Sequence, residues 1–299
     1  MSNRLFPENI KKIAVAPLAS NADPHLLSEA LNFIESQGVS VLYPSGRLTN
    51  ADEKAEYLER VFKDKTVDLI IAERGGYGTS EVCAVLDWRK IINYPKFLLG
   101  YSDITFLHLA MLKFNCGTPV SGPVAVELKE ISQNSISSFS LYNSLKQIGE
   151  NANGGDNNFN KLQNNLDESL RIIKSGEVFA PLIPANLTVL TTMIGTPYMP
   201  DLRGTVLLLE DISEPLYKIR RSLNHLKQSG ILSKISGLIF GNFKQCGNLN
   251  ELESLFRMFG EKINGPVLSN FRFGHCSFSL SIKTGDSFLI DTNALQLKM

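Results

Sequence analysis

Phe97-Leu98-Leu99-Gly100-Tyr101-Ser102-Asp103-Ile104-Thr105 joins a short apolar run to a second apolar-periodic segment that continues to Phe114. Read outward, Phe97 to Leu99 is a strand, Ile104 to Phe114 is a helix, and the residues between them form a sharp strand-to-helix turn. Such a turn holds a serine hydroxyl at the carboxyl edge of a sheet, with neighbouring amides and a helix N-terminus facing the same space, which is how a weak alcohol becomes a nucleophile. Ser-Asp ahead of a helix is also an ordinary N-cap, so the stretch points to an α/β fold and leaves Ser102 with two readings.

The same alternation runs upstream. Lys12 to Pro17, Val39 to Tyr43 and Val67 to Ala72 read as strands; Pro24 to Gln37, Asp52 to Phe62 and Thr79 to Leu86 read as helices, the first ended by Gly38. This βαβα order implies a parallel sheet with helices on both faces and ligands at the carboxyl ends of its strands. Glu73-Arg74-Gly75-Gly76-Tyr77-Gly78 follows the third strand directly, and its glycines let backbone amides approach a ligand that a Cβ would obstruct.

From Glu150 the composition shifts to Asn and Gly, and a linker over 151–170 is expected to separate a domain over 1–150 from one over 171–299. The second domain reads as smaller and α/β, with a curved or barrel-like sheet. Its strands are expected at Ile172 to Ile173, Val178 to Phe179, Val206 to Glu210, Gly237 to Phe240 and Phe288 to Ile290, and its helices at Leu187 to Ile194, Leu216 to Ser229 and Leu249 to Phe259. Internal repeats are not evident.

Lys plus Arg and Asp plus Glu each number 30 in 299 residues, so the net charge is zero and no broad basic field favours nucleic acid or an anionic membrane surface. Met1 to Lys12 has no apolar signal-peptide core and no later apolar run is long enough to span a bilayer, so the chain reads as soluble and cytoplasmic. Cys83, Cys116, Cys246 and Cys276 form no Cys-x-x-Cys pair; they read as reduced, mostly buried thiols rather than zinc ligands or a disulfide framework.

A serine nucleophile needs a base, and the chain has four histidines. His108 lies on the helix that begins at Ser102 and leads away from the hydroxyl; His25 and His225 sit in unremarkable helical contexts. His275 stands in the aromatic, glycine-bearing loop Asn270-Phe271-Arg272-Phe273-Gly274-His275-Cys276, where a histidine can be oriented outside regular structure. Its orienting acid is read as Glu210, which ends the apolar strand Val206-Leu207-Leu208-Leu209 and, if buried, needs a partner. Asp211 and Glu214 read instead as N-terminal acids of the next helix, with Ser213 as cap and Pro215 opening it.

Arg74-Gly75-Gly76-Tyr77-Gly78, Gly100-Tyr101-Ser102-Asp103-Ile104-Thr105, Asn186-Leu187-Thr188 through Gly195-Thr196-Pro197-Tyr198, Leu209-Glu210-Asp211 through Tyr217-Lys218-Ile219-Arg220-Arg221, and Phe273-Gly274-His275 occur here in order. In them the chain resembles the LD-carboxypeptidase family of serine peptidases, which includes cytoplasmic muropeptide LD-carboxypeptidases and microcin C immunity peptidases. The resemblance implies Ser102 as nucleophile, His275 as general base, Glu210 as its orienting acid, and an oxyanion hole from the amides of Gly76 and Asp103. It also implies a Rossmann-like N-terminal domain, a smaller C-terminal domain carrying the acid and base, a homodimer, and no cofactor or metal. Arg74, Tyr77 and Arg221 are candidate substrate contacts, the two arginines because a guanidinium holds a carboxylate bidentately.

The implied reaction is hydrolysis of an L-D peptide bond, releasing the terminal D-Ala of a muropeptide tetrapeptide stem. The rivals are an immunity-type amidase acting on a peptidyl-nucleotide, against which the only tryptophan, Trp88, falls in the first domain, and a catalytically silent peptide-binding homologue. Three stretches depart from the family pattern. Pro184-Ala185 stands where Gly-Gly is usual before Asn-Leu, Ala16-Pro17-Leu18-Ala19-Ser20 replaces Pro-Ser-Ser or Pro-Ser-Gly, and Ser279 to Gly285 lacks Leu-Pro-x-Gly. The first of these bears on substrate choice.

Overall fold

A computed structural model describes residues 4–146, 148, 170–294 and 296–298. Apart from Leu170, the expected linker over 151–170 lies outside the described residues. Two compact units divide the chain: Met1–Asn153 with Pro197–Pro200 and Leu280–Lys283, and Gly154–Thr196 with Asp201–Ser279 and Thr284–Met299.

The first unit runs β1 (Lys12–Ala16), α1 (Pro24–Ser36), β2 (Ser40–Leu42), α2 (Ala51–Lys63), β3 (Leu69–Ala72), α3 (Thr79–Val85), α4 (Trp88–Ile91), β4 (Phe97–Gly100), α5 (Thr105–Phe114), β5 (Thr118–Ser121), α6 (Leu128–Ile131) and α7 (Ser135–Leu145). The strands pair in the order β2-β1-β3-β4-β5, every pair parallel. All four residues of β3 are buried, as a strand covered on both faces requires. Ile13, Val15, Leu69, Ile71, Leu99 and Val120 form one core with Ile34 of α1 and Leu141 and Leu145 of α7. The strand order reverses between β1 and β3, so the loops after them flank the crevice where doubly wound sheets bind ligands.

Two pieces of late sequence complete this unit. The two-residue strand β11 (Ile282–Lys283) pairs antiparallel with β5, and the Ser281 carbonyl accepts the hydroxyls of Ser140 and Ser144 at 3.0 and 2.8 Å. Tyr198 packs on Phe106 and Phe114, with ring centroids 5.8 and 6.2 Å apart.

The second unit runs β6 (Arg171–Lys174), β7 (Glu177–Asn186), α8 (Leu187–Met193), β8 (Val206–Ile212), α9 (Leu216–Gln228), β9 (Gly237–Lys244), α10 (Leu249–Gly260), β10 (Val267–Ser269), β12 (Ser287–Asp291) and β13 (Gln296–Lys298). Its sheet has the order β13-β12-β7-β8-β9-β10-β6 with a parallel centre, β7 to β10, and antiparallel flanks, and it is curled into a half-barrel. Strand β7 is ten residues long where the sequence pointed only to Val178 to Phe179, and it runs through Pro181 and Pro184. Pro184 and Ala185 are buried, in register with Leu208 and Leu209, and deliver Asn186 to the strand end.

Among the described residues, no helix is long and apolar enough to cross a membrane. Cys83, Cys116 and Cys246 are buried and Cys276 is half-buried.

Candidate active site

In the first unit, β4 delivers Ser102 to a turn that only a close-packed glycine permits. A Cβ on Gly100 would meet Ala72 Cβ at 3.0 Å and Ile104 Cγ1 at 3.1 Å. Ser102 then takes φ +63°, a left-handed conformation that costs a non-glycine residue about 1–3 kcal/mol and is retained where the surrounding structure enforces it. Residues 102–104 form a 3₁₀ turn ahead of α5, with Tyr101 at its N-cap position and no side-chain cap. Ser102 thus occupies the N-cap position neither of this turn nor of α5, whose cap position is Ile104.

The glycine turn after β3 lies directly against this serine. A Cβ built on Gly75 would stand 3.2 Å from Ser102 Cβ and 3.3 Å from its Oγ. Gly76 follows at φ +122°, in a conformation closed to most side chains, and on its other flank it touches Ser20. Arg74 and Tyr77 are exposed on this turn, Tyr77 by 77 %.

Asp103 anchors the arrangement from below. Its Oδ2 accepts the Thr79 N–H at 3.0 Å and the Thr79 hydroxyl at 2.9 Å, so it satisfies the first turn of α3, which the preceding Gly78 cannot cap. Burial pushes the Asp103 carboxyl above the usual carboxylate range, against the pull of the Thr79 hydrogen bonds.

In the second unit, the His275 Nδ1–H donates to Glu210 Oε2 at 2.6 Å. Glu210 is 1 % exposed, and a carboxylate oxygen accepts hydrogen bonds, so the contact assigns the Nδ1–H tautomer to a neutral ring and fixes the ring's orientation. Gly274 makes this possible: at φ +98°, a Cβ there would stand 2.6 Å from Cβ, Cγ and Oε2 of Glu210. The loop around it is held by buried Phe271 and Phe273 and by Asn242, whose Nδ2 donates to the His275 carbonyl at 3.1 Å.

The other oxygen of Glu210 is held by Asn186, a residue the sequence flagged only within a motif. Asn186 pairs with Glu210 at the end of the β7–β8 ladder, and its Nδ2 donates at 3.1 Å to both Glu210 Oε1 and Asp211 Oδ1. Successive strand residues ordinarily face opposite ways; a register shift between Leu209 and Asp211 lets both acids reach one amide. Asn186 Oδ1 meanwhile caps α8 through the Val189 N–H at 3.0 Å.

Asp211 is not an N-terminal acid of α9, contrary to expectation. It is 2 % exposed, and its Oδ2 accepts the N–H and hydroxyl of Thr188 at 3.0 and 2.7 Å, tying down the start of α8. Burial raises its carboxyl above the usual range. Ser213 does not cap α9 either; its hydroxyl donates to Gln245 at 3.0 Å and Pro215 takes the cap position. Asp103 and Asp211 thus do the same work in the two units: each follows a residue the sequence singled out, Ser102 or Glu210, and pins a threonine at the start of the helix after the neighbouring strand. The signal was the Thr at each helix start, Thr79 and Thr188.

Arg221 lies on α9 with its guanidinium 5.3 Å from the Tyr217 ring centroid. His25 is exposed and pairs with Glu29, and His225 is exposed on α9. His108 is fully buried, with Nε2 3.0 Å from the Leu98 carbonyl. Among the described residues, no three His, Cys, Asp or Glu side chains are grouped to hold a metal ion.

Residues 10–120 match the LD-carboxypeptidase N-terminal domain and residues 180–288 match the LD-carboxypeptidase C-terminal domain. A probable murein peptide carboxypeptidase of Bacillus subtilis is 30 % identical over 296 residues, which cover 93 % of this chain and 88 % of that protein. The murein tetrapeptide carboxypeptidase of Pseudomonas aeruginosa is 28 % identical over 306 residues, 95 % of this chain and 94 % of that one. The solved structure of MccF in complex with glutamyl sulfamoyl guanosine has the same fold, with a TM-score of 0.81 at 20 % identity over 98 % of this chain and 97 % of that one. The chain belongs to the LD-carboxypeptidase family.

Proposed function

We propose that the chain is a serine-type LD-carboxypeptidase that removes the terminal D-Ala from muropeptide tetrapeptide stems, acting in the cytoplasm as a homodimer. The observation that carries the reading is the Glu210–His275 pair, a buried carboxylate fixing the imidazole in the tautomer a general base needs, in a chain of this family. The homologue named murein tetrapeptide carboxypeptidase supports the substrate.

In this reading His275 Nε2 takes the proton of Ser102 as Oγ attacks the carbonyl carbon of the L-residue. The Gly76 and Asp103 amides hold the oxyanion of the tetrahedral intermediate. The C–N bond breaks as His275 returns the proton to the departing D-Ala amine, leaving an acyl ester on Ser102. Water then attacks the ester, its proton passing to His275 and on to Ser102 as the shortened peptide leaves. Glu210 stabilises the imidazolium that forms twice in the cycle.

Mass spectrometry of a tetrapeptide stem incubated with the protein is expected to show loss of D-Ala, absent with Ser102→Ala while that variant stays folded. Full turnover by Ser102→Ala would refute the mechanism. Cleavage of an aminoacyl-sulfamoyl nucleoside in preference to the stem would move the substrate to the immunity class. Against that class, Trp88 is nearly buried and stacks on Phe114 at 4.7 Å, so its ring does not offer a face to a base.

A further inference from the structure

Behind the glycine turn lies a set of buried polar groups that the proposed chemistry does not use. Glu73 follows β3 directly and is 1 % exposed. Its Oε1 accepts the Ala22 N–H and its Oε2 the Tyr43 hydroxyl at 2.7 Å. Lys54, 9 % exposed, reaches up from α2 and donates through Nζ to the Ala19 carbonyl at 2.5 Å. The loop after β1 is therefore tied at Ala19 and at Ala22 by two side chains that belong to other elements.

Between those ties sits Ser20, pressed on the glycine turn. Its Oγ accepts the Tyr77 N–H at 3.3 Å, and a Cβ on Gly76 would stand 2.7 Å from Ser20 Cβ. Gly76 has no side chain to restrict it, so its own backbone does not fix the peptide planes on either side of it. Lateral contact with Ser20 supplies that constraint. Lifting the loop would strand a buried carboxylate and a buried ammonium without their hydrogen-bond partners, which makes the seated position the favoured one. Burial lowers the Lys54 ammonium's affinity for its proton, and the Glu73 charge is the first of the neighbours that oppose this.

We propose that Glu73 and Lys54 are positioning residues, holding the Ala19–Ala22 loop against Gly76 so that the Gly76 N–H stays aimed where the oxyanion forms. The proposal rests on the reading of Gly76 as an oxyanion donor. Such a donor acts in the transition state and not on the bound substrate, so its misalignment appears in kcat and leaves KM in place.

Glu73→Ala removes both acceptors, and kcat per folded molecule is expected to fall about 10- to 100-fold with KM within about threefold, less than the roughly 10²–10³-fold cost of losing a donor outright. Glu73→Gln is the conservative rescue. Its amide oxygen keeps the Ala22 N–H while its NH₂ donates to the Tyr43 hydroxyl, which accepts as readily as it donates, so kcat is expected within about fivefold of wild type. If Glu73→Ala does not fold, Lys54→Met cuts the other tie and is expected to lower kcat about tenfold at unchanged KM. Wild-type kcat in both Glu73→Ala and Lys54→Met, equal losses in Glu73→Ala and Glu73→Gln, or a rise in KM alone overturns the proposal. Ser102→Ala in the same assay separates the layers, since its turnover would strike the reading of the nucleophile and leave the loop question behind.

Discussion

Replacing Gly274 by alanine is expected to destabilise the second unit through two separable effects. The first is conformational: at φ +98°, an L-residue is held in a region it rarely adopts, at a cost of about 1–3 kcal/mol. The second is steric. The new methyl would stand 2.6 Å from Cβ, Cγ and Oε2 of Glu210, which is 1 % exposed and held on both oxygens, by Asn186 and His275. A side chain so confined cannot swing aside, and overpacking of this kind costs about 1–3 kcal/mol more. The sum is about 2–6 kcal/mol, against about 1–2 kcal/mol for Gly204→Ala, which shares the positive φ (+73°) and meets nothing within 4 Å. Urea unfolding of the two variants at equal m-value isolates the steric part. Any relief of the overlap lengthens the Glu210–His275 hydrogen bond, so the downfield imidazole N–H resonance of His275 should weaken in Gly274→Ala alone. Equal midpoints for Gly274→Ala and Gly204→Ala, with that resonance intact, would refute the reasoning.

Ser102→Gly is expected to relieve the strain at φ +63°, raising stability by about 1 kcal/mol over Ser102→Ala while both abolish turnover; a less stable glycine variant in thermal melts would contradict it. Asn186→Asp should destabilise more than Asn186→Ala, because it sets a third carboxylate against Glu210 and Asp211 where the amide now donates to both, and urea midpoints rank the two. Burial pushes the His108 imidazole from 6.5 down to about 3. Between those values the unfolded chain takes up a proton that the folded chain refuses, so stability falls with acidity by up to about 1.4 kcal/mol per pH unit. His108→Leu should remove that contribution to the slope below pH 6.5 and leave the slope above it unchanged, as followed by stability against pH; a variant curve parallel to wild type throughout would show His108 titrating normally.

Periodicity and turn chemistry carried the sequence reading a long way. The alternation of strands and helices in the first half, the parallel sheet it implies, and the turns at Gly75 to Gly78 and Gly100 to Asp103 all follow from residues close together in the chain, because a helix repeats every 3.6 residues and a strand every two. The nomination of Glu210 as a carboxylate needing a partner had the same local basis, an acid ending an apolar strand. Two classes of feature stood outside that reach. One is the partner of each polar side chain: Asp211 sits beside Thr188 and Asn186 beside Glu210 because β7 and β8 are neighbours in a particular register, which no local pattern encodes. The other is the return of distant segments, such as Leu280–Lys283 to the edge of the first sheet. What the amino acids determined alone was therefore the set of elements and the chemistry of their ends. Strand order, register and the glycine-permitted contact of Gly274 with Glu210 were decided in three dimensions, where side chains far apart in the chain compete for the same space and the same hydrogen bonds.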